Sequence, residues 1–196
     1  MSQSGIITRP LLRGPLIAPG PWQTLLAQSN KRVYPFPSGA VADTATTGTT
    51  IQMGGLGEPF AVNDYVIVCT KTDYGNSSLF IPSFTKIRRV TAVSGTEDDI
   101  TVDEAVVVSV GDYILNIGAD GAAAPKSDPD LDGIVTVYDD PYGVTTNSNG
   151  YLLTGSGGHF RGWLPTSTPL VDLLITDDSK NPVVVIPFWA TGPEAP

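Results

Sequence analysis

The sequence predicts an all-β fold, in which two small β-sandwich or barrel domains follow an extended N-terminal arm rich in proline and glycine. Charged residues make up only 16% of the 196 residues, against a usual share of about a quarter, and Thr, Ser, Gly and Pro fill the difference. Apolar and polar residues alternate in short runs rich in β-branched side chains, a pattern typical of half-buried strands. These runs are too closely spaced for helices between parallel strands.

Residues 1–43 form the predicted arm. The first 42 residues hold four cations and no acid, whereas the rest of the chain holds 7 cations and 20 acids, for a net charge of −9. Prolines favour extended backbone, and many apolar side chains distinguish the arm from a disordered tail. We therefore expect it to lie against its own domains or against a neighbouring subunit. The residues expected to bind a partner are Arg9, Arg13, Lys31, Arg32, Leu11, Leu12, Leu16, Ile17, Trp22 and Leu25.

Within the arm, a short helix is predicted at residues 21–28, with Pro21 in the first turn, where proline is tolerated. Residues 44–120 predict a barrel-like domain, with strands near 62–68, 87–93, 100–102 and 112–117. Two of these strands begin alike, since Val-Asn-Asp-Tyr-Val-Ile at 62–67 resembles Val-Gly-Asp-Tyr-Ile-Leu at 110–115. This similarity predicts two strands that enter a closed or nearly closed sheet from the same end.

Residues 121–133 predict a linker, because small residues and proline are typical of domain boundaries. Residues 134–196 predict a small β-sandwich domain with a C-terminal tail. Its expected strands lie near 134–138, 151–153, 159–164, 171–175 and 183–186, and turn residues separate them at 139–143, 147–150 and 155–158.

Composition excludes several classes of site. The acidic main body argues against nucleic acid as a partner. No apolar run reaches the ~18 residues of a membrane helix, and the N-terminus lacks the layout of a signal peptide. The single cysteine, Cys69, allows no internal disulfide and is expected to be a small buried hydrophobe. One cysteine and one histidine cannot close a structural zinc site.

Three local patterns suggest other chemistry. Alternating Asp128, Asp130 and Asp132 before a glycine resemble the start of a calcium loop, although Pro129 stiffens it and a strand follows it. The alternative for this segment is a solvated acidic linker. His159 is the only histidine on which a hydrolase could centre, but no Ser in a strand-to-helix elbow accompanies it. Aromatic side chains in the second domain suggest stacking on sugars; these are Tyr138, Tyr142, Tyr151, Trp163 and Trp189.

Several segments resemble modules of the structural proteins of tailed-bacteriophage particles. The segments that carry this resemblance are 89–95, 100–103, 111–115, 133–141, 149–150 and 159–163. Over roughly residues 60–190 the chain is similar to small β-sandwich domains in head-decoration proteins, head fibres and tail-fibre attachment regions. The resemblance implies no catalytic residue, trimers on the particle surface, and an N-terminal arm that fastens the protein to the shell.

The sequence thus predicts a non-enzymatic virion structural protein that decorates or stabilises a phage particle, in a capsid-decoration or fibre-base role, and docks through its arm. Expected partners are further copies of the chain, in a homotrimer, and a capsid or other virion protein. No cofactor, metal, nucleic acid or membrane is expected. The protein would be made in the host cytoplasm and lie on the particle surface. The alternatives are a carbohydrate-binding module and a small hydrolase.

Overall fold

Strands dominate the described part of the chain, so the all-β prediction is confirmed. The computed structural model describes residues 9, 11–15, 26, 29–37, 39–54, 60–74, 77–94, 99–119, 135–140, 142–165 and 170–190. The strands are β1 Leu11–Pro15, β2 Arg32–Phe36, β3 Ala40–Val41, β4 Thr50–Gln52, β5 Asp64–Tyr74, β6 Ser77–Ile81, β7 Ile87–Val93, β8 Asp99–Val102, β9 Tyr113–Ala119, β10 Leu152–Leu153, β11 His159–Trp163, β12 Leu170–Thr176 and β13 Pro182–Ala190.

Two sheets contain the described strands, and both are open. The large sheet follows the order β10-β2-β12-β13-β6-β5-β7-β8-β4, with β9 paired to β5 and β3 paired to β9. A separate ribbon joins β1 to β11. The long strand β5 connects the two halves of the large sheet, because its first part pairs with β7 and β9 while 70–74 pairs with β6. The large sheet therefore has ends at β10 and β4 instead of closing into the predicted barrel.

The predicted arm contributes strands to both halves of the fold. Strand β2 lies between β10 and β12, with Val33 and Phe36 fully buried. Strand β3 pairs with β9, which belongs to the first predicted domain. The pairing of Val185 with Phe80 also connects β13 to β6, across the predicted linker. The backbone hydrogen bonds of the sheet thus join the segments that the sequence analysis treated as arm, first domain and second domain.

Some expectations fall wholly or partly outside the described residues. Of the predicted helix at 21–28, only Leu26 is described; it is helical and fully buried. The linker at 121–133 is not described. The strand expected at 134–138 is, in the described residues from 135, represented by isolated bridges at Tyr138 instead of a regular strand. No helix among the described residues is long and apolar enough to cross a membrane.

The two similar segments at 62–67 and 110–115 form the same turn. In each, a residue with positive φ, Asn63 or Gly111, precedes an aspartate. The Asp64 carboxylate accepts the N–H of Ala61 at 2.7 Å, and the Asp112 carboxylate accepts the N–H of Ser109 at 2.9 Å. The strands that follow, β5 and β9, pair antiparallel. They therefore enter the sheet from opposite ends, and the prediction of a common end was wrong.

A buried polar junction joins three distant segments of the chain. Asp172 on β12 is fully buried, and its Oδ2 accepts the Tyr113 hydroxyl at 2.6 Å and the Gly39 N–H at 2.7 Å. The Gly39 N–H also donates to the Tyr113 oxygen at 3.0 Å. Burial, followed by the nearby Asp172, raises the pKa of the Tyr113 phenol, so this hydroxyl stays a donor. Tyr113 also belongs to a core cluster that includes Phe36 and Cys69.

Candidate functional site: an arginine–aromatic face

One face of the ribbon of β1 and β11 packs on a core cluster, and the other carries the exposed Arg13 and Arg161 beside the buried Leu11 and Trp163. On the core side, Leu12, Phe160 and Val137 belong to one buried cluster. A Cβ on Gly162 would approach Leu152 and Val137 to 2.9 Å, so a residue without a side chain lets the core pack directly on this backbone. Successive residues of a strand point to opposite sides. The residues of β1 and β11 that flank Leu12 and Gly162 therefore lie on the other face.

On that other face, the pairing of β1 with β11 and of β11 with Tyr138 brings arginine and aromatic side chains together. Leu11 is opposite Trp163, and Arg13 is opposite Arg161. On its other side, Trp163 exchanges two backbone hydrogen bonds with Tyr138, at 2.8 and 3.0 Å. Residues directly opposite each other in an antiparallel pair share a face. We call the set Arg9, Arg13, Tyr138, Arg161 and Trp163 the arginine–aromatic face.

Guanidinium groups cover both rings of this face. The Cζ of Arg9 lies 4.0 Å from the centroid of the Tyr138 ring, and the Cζ of Arg161 lies 4.7 Å from that of Trp163. Both distances are within the range of cation–π contacts. A guanidinium group held against a ring in this way has fewer orientations than one in open solvent. Of the five residues of this face, Arg13 and Arg161 are exposed to solvent.

Gly143, in the loop that follows Asp140, lies directly against the Arg9 guanidinium. A Cβ on Gly143, whose φ is +70°, would overlap the Arg9 guanidinium, so glycine is required there both for its backbone and for its size. The Asp140 carboxylate shapes this loop by accepting the N–H groups of Thr145 at 2.6 Å and Tyr142 at 2.8 Å. The hydrogen bond from Thr145, followed by those from neighbouring N–H groups, lowers the pKa of Asp140.

Two buried donors of the face lack acceptors. Among the residues that the structure describes, three buried side-chain nitrogens make no hydrogen bond: Arg9 Nε, Arg88 Nε and Trp163 Nε1. Two of these belong to the arginine–aromatic face, and Trp163 is only 9% exposed. A buried donor without an acceptor costs about 1–3 kcal/mol. Arg9 Nε and Trp163 Nε1 are therefore two buried N–H donors without an acceptor.

The predicted partner-binding residues divide between several environments. Arg9 and Arg13 belong to the face, whereas Leu11 and Leu12 are buried within the chain itself, at 4% and 0% exposure. Those two leucines stabilise the fold and do not offer a free apolar surface, because β1 pairs with β11 of the same chain. Lys31 and Arg32 lie elsewhere, at the start of β2, where Arg32 stacks 5.0 Å from the Tyr151 ring. The predicted anchors outside the described residues are Leu16, Ile17, Trp22 and Leu25.

Arg161 was not among the site residues expected from the sequence. Only the register of β1 against β11 brings it opposite Arg13, and no sequence pattern reveals that register. Tyr138 and Trp163 were expected as possible sugar platforms, and each has a guanidinium against its ring. Trp189 lies in β13, opposite Val171.

Other candidate chemistry finds little support in the described residues. His159 is exposed at the start of β11. Cys69 is fully buried, and burial raises the pKa of its thiol, which suits an inert core residue. The described residues contain no group of three or more His, Cys, Asp or Glu that could hold a metal ion. The possible calcium loop at Asp128, Asp130 and Asp132 lies outside the described residues.

No protein-family model, no curated protein and no solved structure matches this chain.

Proposed function

We propose that this chain is a non-enzymatic structural protein of a phage particle, which decorates or stabilises the particle by docking through its N-terminal segment onto a capsid or other virion protein. The observation that carries the proposal is the position of β1. This strand is held against β11, so that the arm cation Arg13 lies beside Arg161 on an exposed face. A chain with net charge −9 thus displays a local cationic surface, which would steer docking onto an acidic partner.

The resemblance of residues 60–190 to phage head and fibre modules supports the same proposal, as does the open all-β architecture. The docking role belongs to the arm cations and not to Leu11 and Leu12, which are buried in the chain. Self-assembly as a homotrimer is part of the proposal. It is tested by the molar mass of the purified chain in light scattering, and a monomer at all concentrations would contradict it.

Particle association is the direct test. Particles produced by the genome that encodes this chain are purified on a density gradient and probed with an antibody against the chain. Deleting the whole arm would remove β2, whose Val33 and Phe36 are buried, and would unfold the protein. The informative variant is therefore the double charge reversal Arg13→Glu and Arg161→Glu. We expect the wild-type chain on the particles and strong loss of the variant; particles that never contain the wild-type chain would refute the proposal.

Carbohydrate binding is the alternative proposal, and the solvent exposure of Tyr142 favours it. Tyr142 is 60% exposed on the loop 139–145. The rings of Tyr138, Tyr151 and Trp163, by contrast, already have guanidinium groups against them. A glycan array with a Tyr142→Ala control separates the two proposals, since glycan binding that depends on Tyr142 would favour the alternative.

A further inference from the structure

We propose that Asn149 is a site of spontaneous deamidation, where hydrolysis of the side-chain amide leaves isoaspartate in the turn 147–150. This inference goes beyond the particle role and does not depend on it. Asn149 precedes Gly150, and the sequence contains no other Asn-Gly pair. Deamidation requires an asparagine side chain that is free to rotate and a following backbone nitrogen that can reach it. The structure distinguishes the asparagines of the chain by both requirements.

The chemical step involves two adjacent groups of the chain. The backbone nitrogen of Gly150 attacks the side-chain carbon Cγ of Asn149 and loses its proton. The new N–Cγ bond closes a succinimide ring, the Cγ–Nδ2 bond breaks, and ammonia leaves with that proton. Water then opens the ring at the Cγ carbonyl, which gives aspartate, or at the backbone carbonyl, which gives isoaspartate with the main chain running through Cγ. The overall reaction is the hydrolysis of one amide, so no oxidant or reductant takes part.

The first argument is the freedom of both reacting groups. Asn149 is exposed, and its side-chain amide makes no hydrogen bond with the residues that the structure describes. Gly150 has a φ of +68° and no Cβ, so no side chain shields its nitrogen. The Gly150 N–H donates to the carbonyl oxygen of Asn147 at 3.4 Å, which is longer than an ordinary N–H···O hydrogen bond. Little therefore has to be broken before the nitrogen attacks.

The second argument is that each other described asparagine lacks one of these two features. The Asn147 amide donates to a carboxylate at 2.9 Å, and Asn116 is buried. Asn181 precedes a proline, which has no N–H to lose. Asn30 and Asn63 are each followed by a residue with a side chain, whose N–H donates at 3.0 or 3.1 Å. The geometry thus singles out Asn149 among the asparagines that the structure describes.

The product would alter the loop that lies against Arg9. The Asn147 side chain connects the turn to this loop, since its Oδ1 accepts the Asn149 N–H and its Nδ2 donates to Asp139, each at 2.9 Å. Deamidation adds a carboxylate to a segment that already contains Asp139 and Asp140, and neighbouring like charges repel. Isoaspartate also adds a methylene group to the main chain beside this contact. Both changes should loosen the loop.

Incubation of the purified full chain tests the inference. The chain is kept at neutral and at mildly alkaline pH, and samples are analysed over time by peptide mapping with fragment-ion sequencing, which separates Asn149 from Asn147. We expect Asn149 to lose its amide faster than any other described asparagine, with isoaspartate exceeding aspartate. The rate should rise with pH, because the attacking nitrogen must lose its proton. Asn149→Gln should abolish conversion at this position, since glutamine closes the corresponding ring far more slowly.

The same incubation in urea separates the effect of the turn from that of the dipeptide. Since the native turn holds neither reacting group firmly, the native chain should convert Asn149 at a rate comparable to that of the unfolded chain. Asn116, which is buried in the native chain, should by contrast react faster in urea than in the folded protein. Asn147 serves as the internal control within the same turn.

A second readout follows the loop itself. The modified chain carries an additional negative charge and is separated from the unmodified chain by anion exchange. The amides of Val144 and Thr145, which donate to Asp140 at 3.3 and 2.6 Å, should have lower protection factors in the modified chain. Asn149→Asp adds the charge without the extra methylene group, so its protection factors should lie between those of the two forms.

Three results would overturn the inference. The first is an Asn149 amide that persists at least as long as that of Asn147. The second is a native rate at Asn149 that is more than an order of magnitude below the rate in urea. The third is equal amide protection of Val144 and Thr145 in the modified and unmodified chains, which would show that the turn and the loop are not coupled.

Discussion

The junction of Tyr113, Asp172 and Gly39 offers the sharpest test of what holds the two halves of the fold together. Tyr113→Phe removes one hydroxyl and leaves the ring in place, so no large cavity forms. The change deletes the 2.6 Å donor to Asp172 and the 3.0 Å acceptor of the Gly39 N–H. The Gly39 N–H keeps its 2.7 Å bond to Asp172. The main effect is that the buried carboxyl group of Asp172 loses its hydrogen bond from the Tyr113 hydroxyl.

Loss of a partner from a buried polar group costs about 1–3 kcal/mol. For a chain of this length, each kcal/mol lowers the melting temperature by roughly 2–4 °C, so we expect a decrease of roughly 2–12 °C. Urea unfolding monitored by tryptophan fluorescence measures the free energy directly. The control is Tyr65→Phe on β5, which changes a half-buried tyrosine that packs against the same core cluster. It should change the stability by less than about 0.5 kcal/mol.

A double-mutant cycle decides whether the loss arises through Asp172. In the Asp172→Asn background, Tyr113→Phe should cost less than in the wild type, because the acceptor of the hydroxyl has changed. An equal cost in both backgrounds would show that the two groups are energetically independent. A wild-type cost below about 0.5 kcal/mol would refute the reasoning outright.

Three further predictions concern single positions. Gly39→Ala should lower the melting temperature strongly, because the new Cβ would overlap the backbone oxygen of Ile114. The control is Gly48→Ala, in which the nearest atom to the new Cβ would be 3.5 Å away. Equal decreases in melting temperature for the two variants would contradict this prediction. Because the pKa of Asp140 is lowered in the folded chain, its contribution to stability should be present above its ordinary value of 3.8 and vanish as pH falls through the lowered pKa. The amides of Tyr142, Val144 and Thr145 donate to this carboxylate, so their protection factors, each relative to the intrinsic exchange rate at the same pH, should fall over that range. In Asp140→Asn these protection factors should already be low at neutral pH. Cys69, buried and with a raised pKa, should resist iodoacetamide until urea unfolds the chain; fast labelling of the native protein would show that it is accessible.

Local patterns in the sequence were sufficient to predict the fold class and many strands. The expected strands near 87–93 and 171–175 coincide closely with β7 and β12, because alternation and β-branched residues act within one strand. Pairing between strands follows from packing across the molecule, which these patterns do not encode. The prediction therefore missed that β2 lies between β10 and β12.

The candidate site was only half predictable, for the same reason. Arg9 and Arg13 were visible as cations of a basic segment, but Arg161 joins them only through the register of β1 and β11. The similar turns at Asn63 and Gly111 show the same limit. That the two segments begin alike was visible in the sequence, whereas the relative direction of β5 and β9 was not.

Strands β1 and β2 pair with strands that come much later in the chain. This order limits how early the protein can fold while it is being synthesised. Gly39 and Asp172 are separated by 133 residues, and β1 and β2 find their partners only in β10, β11 and β12. On the ribosome, the first strands emerge long before those partners exist. The apolar side chains of Leu12 and Val33 therefore stay exposed, or bound to a chaperone, until strands β10 to β12 have been synthesised.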